Sequence, residues 1–461
     1  MKTASPGATN MTVGNPYRLI LNFSLPLLVG NIFQQLYFII DCIIVGNVVG
    51  DKALAAVGTG FPITFMMSSL FIGIGMGATI IIAQYLGAGN MDQIRETVQT
   101  IYTALILGAI PLSLIGIVSS VPLLRLMNVP NDGTMEMAQT FMFVIFAGMI
   151  GNLGYNINAG ILQGLGDSRT SMLFLIISTI INIILDLLFT ATLGWGVFGV
   201  AFATIIAEFC SWIFGIYFIN KRYPDFHIRL FHFHFNRQIF LKAIKLGIPA
   251  GLQQAMFAIG SMVMQALVNS YGSSFMAGFN GANKIDTFAF MPIQSFSNAV
   301  TTYVGQNVGA SFMDRVKKGT RAGLVLAVGS CLVIGGIVYL LSPNFMRLFS
   351  PHQDVIDAGV AYLHDVLPFY FLLALLFILN AVVRGAGATA IPTISTFVSL
   401  WIARIPAAYW IASVWGRDAI YYSYAIGWLL GLIISFVYYI TGRWKTKSVV
   451  SNKGGQPEET D

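Results

Sequence analysis

Polar residues in this chain come in short clusters, and long apolar stretches run between them. Twelve such stretches stand out, at residues 18–45, 54–82, 96–119, 134–161, 170–190 and 196–219, then 240–268, 274–304, 320–341, 357–383, 391–414 and 418–441. A helix needs about 20 apolar residues to cross a hydrocarbon core ~30 Å thick, and each stretch meets that length. Strand-period alternation is missing, and the stretches are too long for the tilted strands of a barrel. The pattern predicts an all-α integral membrane protein with twelve transmembrane helices.

The pattern also repeats. Gln84-Tyr85-Leu86-Gly87-Ala88, followed by Met91-Asp92, returns 222 residues later as Gln306-Asn307-Val308-Gly309-Ala310, followed by Met313-Asp314. The same offset pairs Asn47 with Asn269, Gly50 with Gly272 and Ala55 with Ala277. Offsets one residue away pair Leu25-Pro26 with Ile248-Pro249, and Gly164-Leu165-Gly166 with Gly385-Ala386-Gly387. Ordered matches of this kind indicate two copies of one structural unit. The expected organisation is a tail at 1–15, a first six-helix lobe at 16–219, a linker at 220–239, a second lobe at 240–443 and a tail at 444–461. Duplicated membrane bodies with a site between or within the halves are typical of transporters.

Composition agrees, since 56% of residues are hydrophobic and only 10% are charged. A soluble domain carries roughly 25% charged residues, so this surface must face lipid. The net charge of +6 would suit an anionic partner such as nucleic acid, but its distribution argues otherwise. With the N-terminus inside, 19 of the 25 Lys and Arg residues fall on the cytoplasmic side, and Lys52, Arg125, Arg347 and Arg417 fall outside. That is the positive-inside bias, and it places both termini in the cytoplasm. Residues 1–15 lack the apolar core of a signal peptide, and residues 448–461 read as a disordered end. Cys42, Cys210 and Cys331 all lie in spans and imply no disulfide framework. His232 and His234 in Phe231-His232-Phe233-His234-Phe235 are too few ligands for a metal site, so this stretch is read as a half-buried surface segment.

Ionisable residues inside spans are costly, roughly +2.5 to +3.5 kcal/mol on the lenient insertion scale, and are the first candidates for function. In the first span, helical spacing puts Gln34, Tyr37, Phe38 and Asp41 on one face, as the wall of a wet cavity. Ser178, Asn182 and Asp186 form a polar seam on the fifth span. Oxygen-bearing side chains in register suit a hard cation or a proton-carrying carboxylate, and they equally suit polar contacts between helices. Thr204 shares a face with Glu208 on the sixth span, where Glu208 is expected to reach the cytoplasmic interface. Lys284 and Asp286 are candidates for lining the second half's cavity or for pairing with other helices. Arg404 and Asp365 read as structural pairs. Met256, Phe257 and Met291 offer the adaptable apolar contacts of a substrate cleft. Pro26 and Pro249, inside the first helix of each half, are candidate hinges because proline removes a backbone hydrogen bond.

These residues carry a resemblance to a known family. Gln35-Leu36-Tyr37 through Asp41 and Gly46, Pro62, and Ala83-Gln84-Tyr85-Leu86-Gly87-Ala88-Gly89 with its second copy are similar to the MATE family of multidrug and toxic compound extrusion transporters. So are Asn158-Ala159-Gly160-Ile161-Leu162-Gln163-Gly164-Leu165-Gly166-Asp167 and Arg169. The likeness is collinear over residues 15–443, and within the family it is closer to the DinF/MepA-like branch. The resemblance implies that the two lobes enclose a central cleft. It also implies a multi-pass protein of the prokaryotic plasma membrane, working as a monomer, that extrudes amphipathic organic cations, drugs and dyes by alternating access. An inward H⁺ or Na⁺ gradient drives such transport, with no other cofactor and no enzymatic chemistry. The resemblance maps the coupling cation, as a proton or Na⁺, onto Asp41, Asn182, Asp186 and Thr204. The acid that another branch carries early in the seventh helix is absent, because that stretch reads Gly251-Leu252-Gln253-Gln254-Ala255. The alternative is a flippase for lipids or lipid-linked precursors, whose cleft carries more basic residues than these spans do. No His-Glu-x-x-His, Asp-rich diphosphate motif or Gly-x-x-x-x-Gly-Lys-Ser/Thr loop is found, so an enzyme or a direct ATP drive is unsupported.

The acids do not follow the repeat. Carrying Asp41 forward reaches Val263 or Met264, and carrying Asn182 and Asp186 forward reaches Ala403 and Ala407. The scaffold is symmetric, and the expected cation site is confined to the first half.

Overall fold

The structure, a computed structural model, describes residues 8–127, 129–230 and 233–450. It is all-helical. Seven helices form the first half: α1 (Pro16–Ile44), α2 (Asp51–Gly87), α3 (Met91–Leu126), α4 (Thr134–Ala147), α5 (Met149–Gly164), α6 (Ser168–Asp186) and α7 (Gly196–Arg222). Eight form the second: α8 (Arg237–Asn269), α9 (Ser273–Gly309), α10 (Met313–Arg347), α11 (Gln353–Val366), α12 (Tyr370–Gly385), α13 (Ala390–Phe397), α14 (Ile405–Trp415) and α15 (Tyr422–Thr441). Ten continuous helical runs are long and apolar enough to cross a membrane, and the pair α4 and α5, bent by 52°, supplies an eleventh. The twelfth expected span is α9. It is 37 residues long but carries Asn280, Asn283, Lys284 and Asp286, and much of it is buried against other helices. Asn280, Asn283 and Lys284 are exposed, and these polar residues lower the hydropathy of the helix without shortening it.

The repeated turn signals become repeated geometry. Gly50 and Gly272 each precede the second helix of their half with φ of 110° and 100°, a region that favours glycine. Gly89 has φ 68°, and its counterpart Ser311 is the one non-glycine with positive φ among the described residues, at 62°. Asn15, Asn90, Asp167 and Asn236 cap α1, α3, α6 and α8 through their side-chain oxygens. Pro26 lies inside a continuous α1, and Pro249 inside a continuous α8.

Each half has its own hydrophobic core, and the cores interlock at one face. Ile20, Phe23 and Leu27 of α1 join the second half's core, whereas Ala243 and Leu246 of α8 join the first half's. Glycines make this approach possible. A Cβ on Gly73 would sit 2.3 Å from the Gly247 carbonyl oxygen, and one on Gly77 would sit 2.6 Å from that of Ala243. At the helix ends, a Cβ on Gly87 would meet the Gln306 carbonyl oxygen at 1.8 Å, and one on Gly309 would meet that of Gln84 at 1.9 Å. The repeated Gln-x-x-Gly-Ala phrase is therefore the seam between the halves.

Both tails lie on this face and occupy the same seam by a near-twofold rule. The Gln84 amide donates to the Gly385 carbonyl at 2.9 Å and accepts from Val449 N at 2.7 Å. Gln306 donates to the Gly164 carbonyl at 3.4 Å and accepts from Met11 N at 2.7 Å. Each tail also crosses a left-handed glycine: Thr9 O would contact a Cβ on Gly166, and Lys447 O one on Gly387, both at 2.5 Å. Of the segment expected to be disordered, Ser448 and Val449 are ordered on Gln84, and residues 451–461 lie outside the described residues. Hydrogen bonds between the halves concentrate here, with Asn31–Ser295 at 3.2 Å near mid-helix. The molecule is closed on its terminus-bearing face.

Candidate functional site

A cavity of about 270 Å³ lies wholly within the first half. From α1 come Gln34, Tyr37, Phe38 and Asp41, the face that helical spacing groups together. Thr64, Phe65 and Ser68 come from α2, Ser178 and Asn182 from α6, and Thr204 and Glu208 from α7. The α4–α5 bend adds Phe141, Met149, Asn152, Tyr155 and Asn156. Its lining contains no Lys, Arg or His among the described residues.

Small residues determine who meets whom. Gly30 lets α1 press on α6, where a Cβ would stand 3.2 Å from a Leu175 methyl carbon. That contact brings Asp41 towards Asp186, and the two carboxyls lie within hydrogen-bond reach. Both are buried, at 7% and 1% exposure, and each keeps one oxygen without a partner among the described residues. In the amide orientation that its neighbours require, Asn182 donates to Asp186 Oδ2 at 2.9 Å and accepts from Thr204 N at 3.2 Å. The Tyr37 and Thr204 hydroxyls are 3.3 Å apart, joining α1 to α7. A π-helical turn follows each acid, at Val45–Val49 after Asp41 and at Leu187–Thr192 after Asp186. Such turns break the regular ladder and frequently mark functional positions.

Two buried carboxylates in contact repel too strongly to be ionised together with nothing between them. A proton or a cation between them would relieve that repulsion. The donor set, two carboxylates, an amide and a hydroxyl, is all oxygen apart from the amide nitrogen and suits a hard monovalent cation or a proton. No cluster of three or more His, Cys, Asp or Glu residues is present among the described residues.

The chain can now be placed among known proteins. The MatE family profile matches residues 26–188 and again 249–410, together more than half of the chain and one match per half. The chain belongs to the MatE family. Members of the MatE family are membrane transporters, not enzymes. Similar relatives include the probable multidrug resistance protein YpnP of Bacillus subtilis, 28% identical over 97% of this chain and 100% of the relative. The probable multidrug resistance protein NorM of Thermotoga maritima is 27% identical over 94% of each. A solved outward-facing multidrug resistance MATE family transporter of the MOP superfamily superposes with a TM-score of 0.87 at 25% identity, covering 97% of this chain and 99% of that one.

In this MatE chain the sequence-derived candidates separate into two groups. Gln34, Tyr37, Phe38, Asp41, Asn182 and Thr204 line one cavity, with Asp186 directly behind it. Met256, Phe257, Lys284, Asp286 and Met291 do not reach it. Met256 and Met291 are buried in the second half, Phe257 packs on Phe377 with ring centroids 6.2 Å apart, and Lys284 is exposed. Asp286 accepts from Tyr370 and, at 3.2 Å, from Tyr362. The Arg404 guanidinium lies 3.2 Å from the centre of the Tyr424 ring, so this arginine does have the structural partner its position demands. Phe231 and His232 lie outside the described residues, and His234 contacts Glu96 at 3.5 Å.

One expectation is corrected. Glu208 does not reach for the cytoplasmic interface; it faces the cavity and accepts from Asn152 Nδ2 at 2.6 Å. Its partners on α5 were missed by the sequence reading, although Asn152 and Asn156 stand at i, i+4 in a glycine-rich stretch. Those glycines are the reason they matter. A Cβ on Gly148 would stand 2.2 Å from Ile205, and one on Gly154 would stand 2.4 Å from the Trp212 ring. Only a glycine stripe lets α5 lie close enough to α7 for Asn152 to reach Glu208.

Proposed function

We propose that this chain is a secondary active multidrug efflux transporter. It exchanges amphipathic, mostly cationic organic compounds for inward-moving H⁺ or Na⁺ by alternating access. The observation that carries this is the Asp41–Asp186 contact, a buried acid pair with unpartnered oxygens and no compensating side-chain cation. Asp41, Asn182, Asp186 and Thr204 are its coupling residues. The relatives' names as multidrug resistance proteins support the substrate class.

Coupling follows from the geometry. Filling the pair with a proton or Na⁺ removes the repulsion between α1 and α6 and lets those helices repack, with Pro26 as the place where α1 bends. Repacking reshapes the cavity that Tyr37 and Phe38 line, so the substrate leaves. Exchange requires that substrate and cation prefer different states, because a ligand shifts an equilibrium only by its differential affinity. With the positive-inside bias, the closed terminus-bearing face is the cytoplasmic one in this reading. A flippase for lipid-linked precursors fits less well, since the cavity offers no basic group to a phosphate.

The test is dye efflux from proteoliposomes under an imposed proton gradient and, separately, an imposed sodium gradient. One of the two should drive efflux, and Asp41→Asn should abolish it at wild-type protein density. Efflux retained by Asp41→Asn would end this assignment.

A further inference from the structure

The cavity holds a third carboxylate that the coupling scheme does not use. Glu208 sits one helical turn from Thr204 on α7, and the structure gives it no hydrogen bond to Asp41 or Asp186. Its setting is constructed rather than incidental. Asn156 Nδ2 donates to the Asn152 carbonyl at 2.8 Å and lies 3.3 Å from Asn152 Oδ1. That contact orients the Asn152 amide so that its nitrogen points at Glu208 Oε1, 2.6 Å away. One carboxylate oxygen is thereby fixed as an acceptor, and the carboxylate as a whole is half-buried on the cavity wall. Its other oxygen has no donor among the described residues.

The cavity that Glu208 lines carries aromatic side chains and, among the described residues, no Lys, Arg or His. Tyr37 and Tyr155 line the same cavity and lie within electrostatic range of Glu208. A half-buried carboxylate in a cavity that aromatic side chains also line is the environment that an organic ammonium or iminium group prefers. The carboxylate supplies charge, and the rings replace hydration through cation–π contact. A small hard cation gains less there, because rings are poor substitutes for its water ligands.

We infer that Glu208, positioned by Asn152 and Asn156, is the anchor for the positive group of the transported compound, separate from the Asp41–Asp186 pair that takes the coupling cation. This rests on the transport reading above and assigns its two charges to two sites. Substrate and coupling cation then occupy the same cavity without competing for one carboxylate. Their antagonism arises from the repacking of α1 and α6, not from displacement. Substrates that carry a fixed positive charge are selected by Glu208, and uncharged compounds of the same shape are held by the aromatic wall alone.

The experiment compares ethidium, a permanent cation, with an uncharged phenanthridine of the same ring system. Binding of each to purified protein is measured for wild type, Glu208→Gln, Glu208→Asp and Asp41→Asn, and efflux is measured in proteoliposomes. Glu208→Gln keeps an acceptor for Asn152, so the fold of the wall is preserved. It should weaken ethidium binding by about tenfold or more, the scale of one lost charge-assisted contact, and leave the uncharged compound within about twofold. Glu208→Asp should recover part of the ethidium affinity. Gradient-driven efflux of the uncharged compound should continue in Glu208→Gln and stop in Asp41→Asn. Ethidium affinity unchanged in Glu208→Gln, or equal losses for both compounds, overturns the assignment. Wild type that shows no gradient-driven efflux of either compound would instead sink the transport reading itself.

Discussion

Replacing Gly87 or Gly309 with alanine should force the terminus-bearing face apart. The added methyl carbon would fall 1.8 Å from the Gln306 carbonyl oxygen in the first case and 1.9 Å from the Gln84 carbonyl oxygen in the second. Both obstacles are backbone atoms, so no rotamer change relieves them. A carbon and a carbonyl oxygen tolerate approach to roughly 3.3 Å, and the helix ends must therefore separate by about 1.5 Å. That displacement breaks the bonds spanning the seam: Gln84 to Gly385 at 2.9 Å, Met11 to Gln306 at 2.7 Å and Val449 to Gln84 at 2.7 Å. Three bonds at about 1 kcal/mol each shift the closed-to-open ratio by roughly a hundredfold. Spin labels on Asp92→Cys and Asp314→Cys, exposed equivalents in the two copies, report the opening as a longer interspin distance. The repeat supplies an internal control, since both alanine variants should widen the distribution alike. An unchanged distance distribution in both, with normal transport, would refute the idea that this seam sets closure.

Other perturbations act on separate parts of the argument. Gly154→Ala places a methyl within 2.4 Å of the Trp212 ring. It should cost about 1–3 kcal/mol and lower the melting temperature while weakening substrate binding through the displaced Asn152. Gln306→Leu leaves the buried Met11 N–H without its 2.7 Å acceptor, so limited proteolysis should release the N-terminal tail in this variant and spare it in wild type. Asp286→Asn should preserve gradient-driven efflux, because Asp286 is held by Tyr362 and Tyr370 away from the cavity; a loss as complete as that of Asp41→Asn in proteoliposomes would place coupling in the second half as well. Asp167→Ala removes the cap on α6 together with the Tyr223 bond at 2.9 Å and should destabilise the purified protein by about 1–2 kcal/mol, measured by thermal unfolding.

Apolar length and the position of turns were readable directly from the chain. Every expected span corresponds to a helical run, because lipid leaves the backbone no other way to satisfy its hydrogen bonds. The coincidence of Asp41 with Gln34, Tyr37 and Phe38 was readable too, since it needs only the period of one helix. What required the structure was the approach of one helix to another. The Glu208–Asn152 contact depends on Gly148 and Gly154 meeting Ile205 and Trp212, residues more than fifty positions away. The same holds for the tails. Nothing local in Thr9 to Met11 or in Lys447 to Val449 signals that both segments dock on glutamines of the opposite half.

The two halves share a scaffold and differ in how they fill it. In the first, α1, α5, α6 and α7 surround a cavity edged by carboxylates. In the second, aromatic side chains are packed instead: Phe279 meets Tyr362 edge-on at 5.3 Å, Tyr362 meets Tyr421 at 4.9 Å, and Tyr370 meets Trp428 at 5.5 Å. Asp286 is bound by Tyr362 and Tyr370, and Arg404 lies over Tyr424, so the charges there are held by neighbours that a close-packed core keeps in place. A hollow half with an unsatisfied acid pair can change shape when a cation arrives. A half filled with interlocked rings resists such change, and in the proposed mechanism it would serve as the body against which the first one moves. Symmetric turns and glycines let the halves meet along one seam, and under the proposed coupling the asymmetry of their interiors would decide which half responds to the ion.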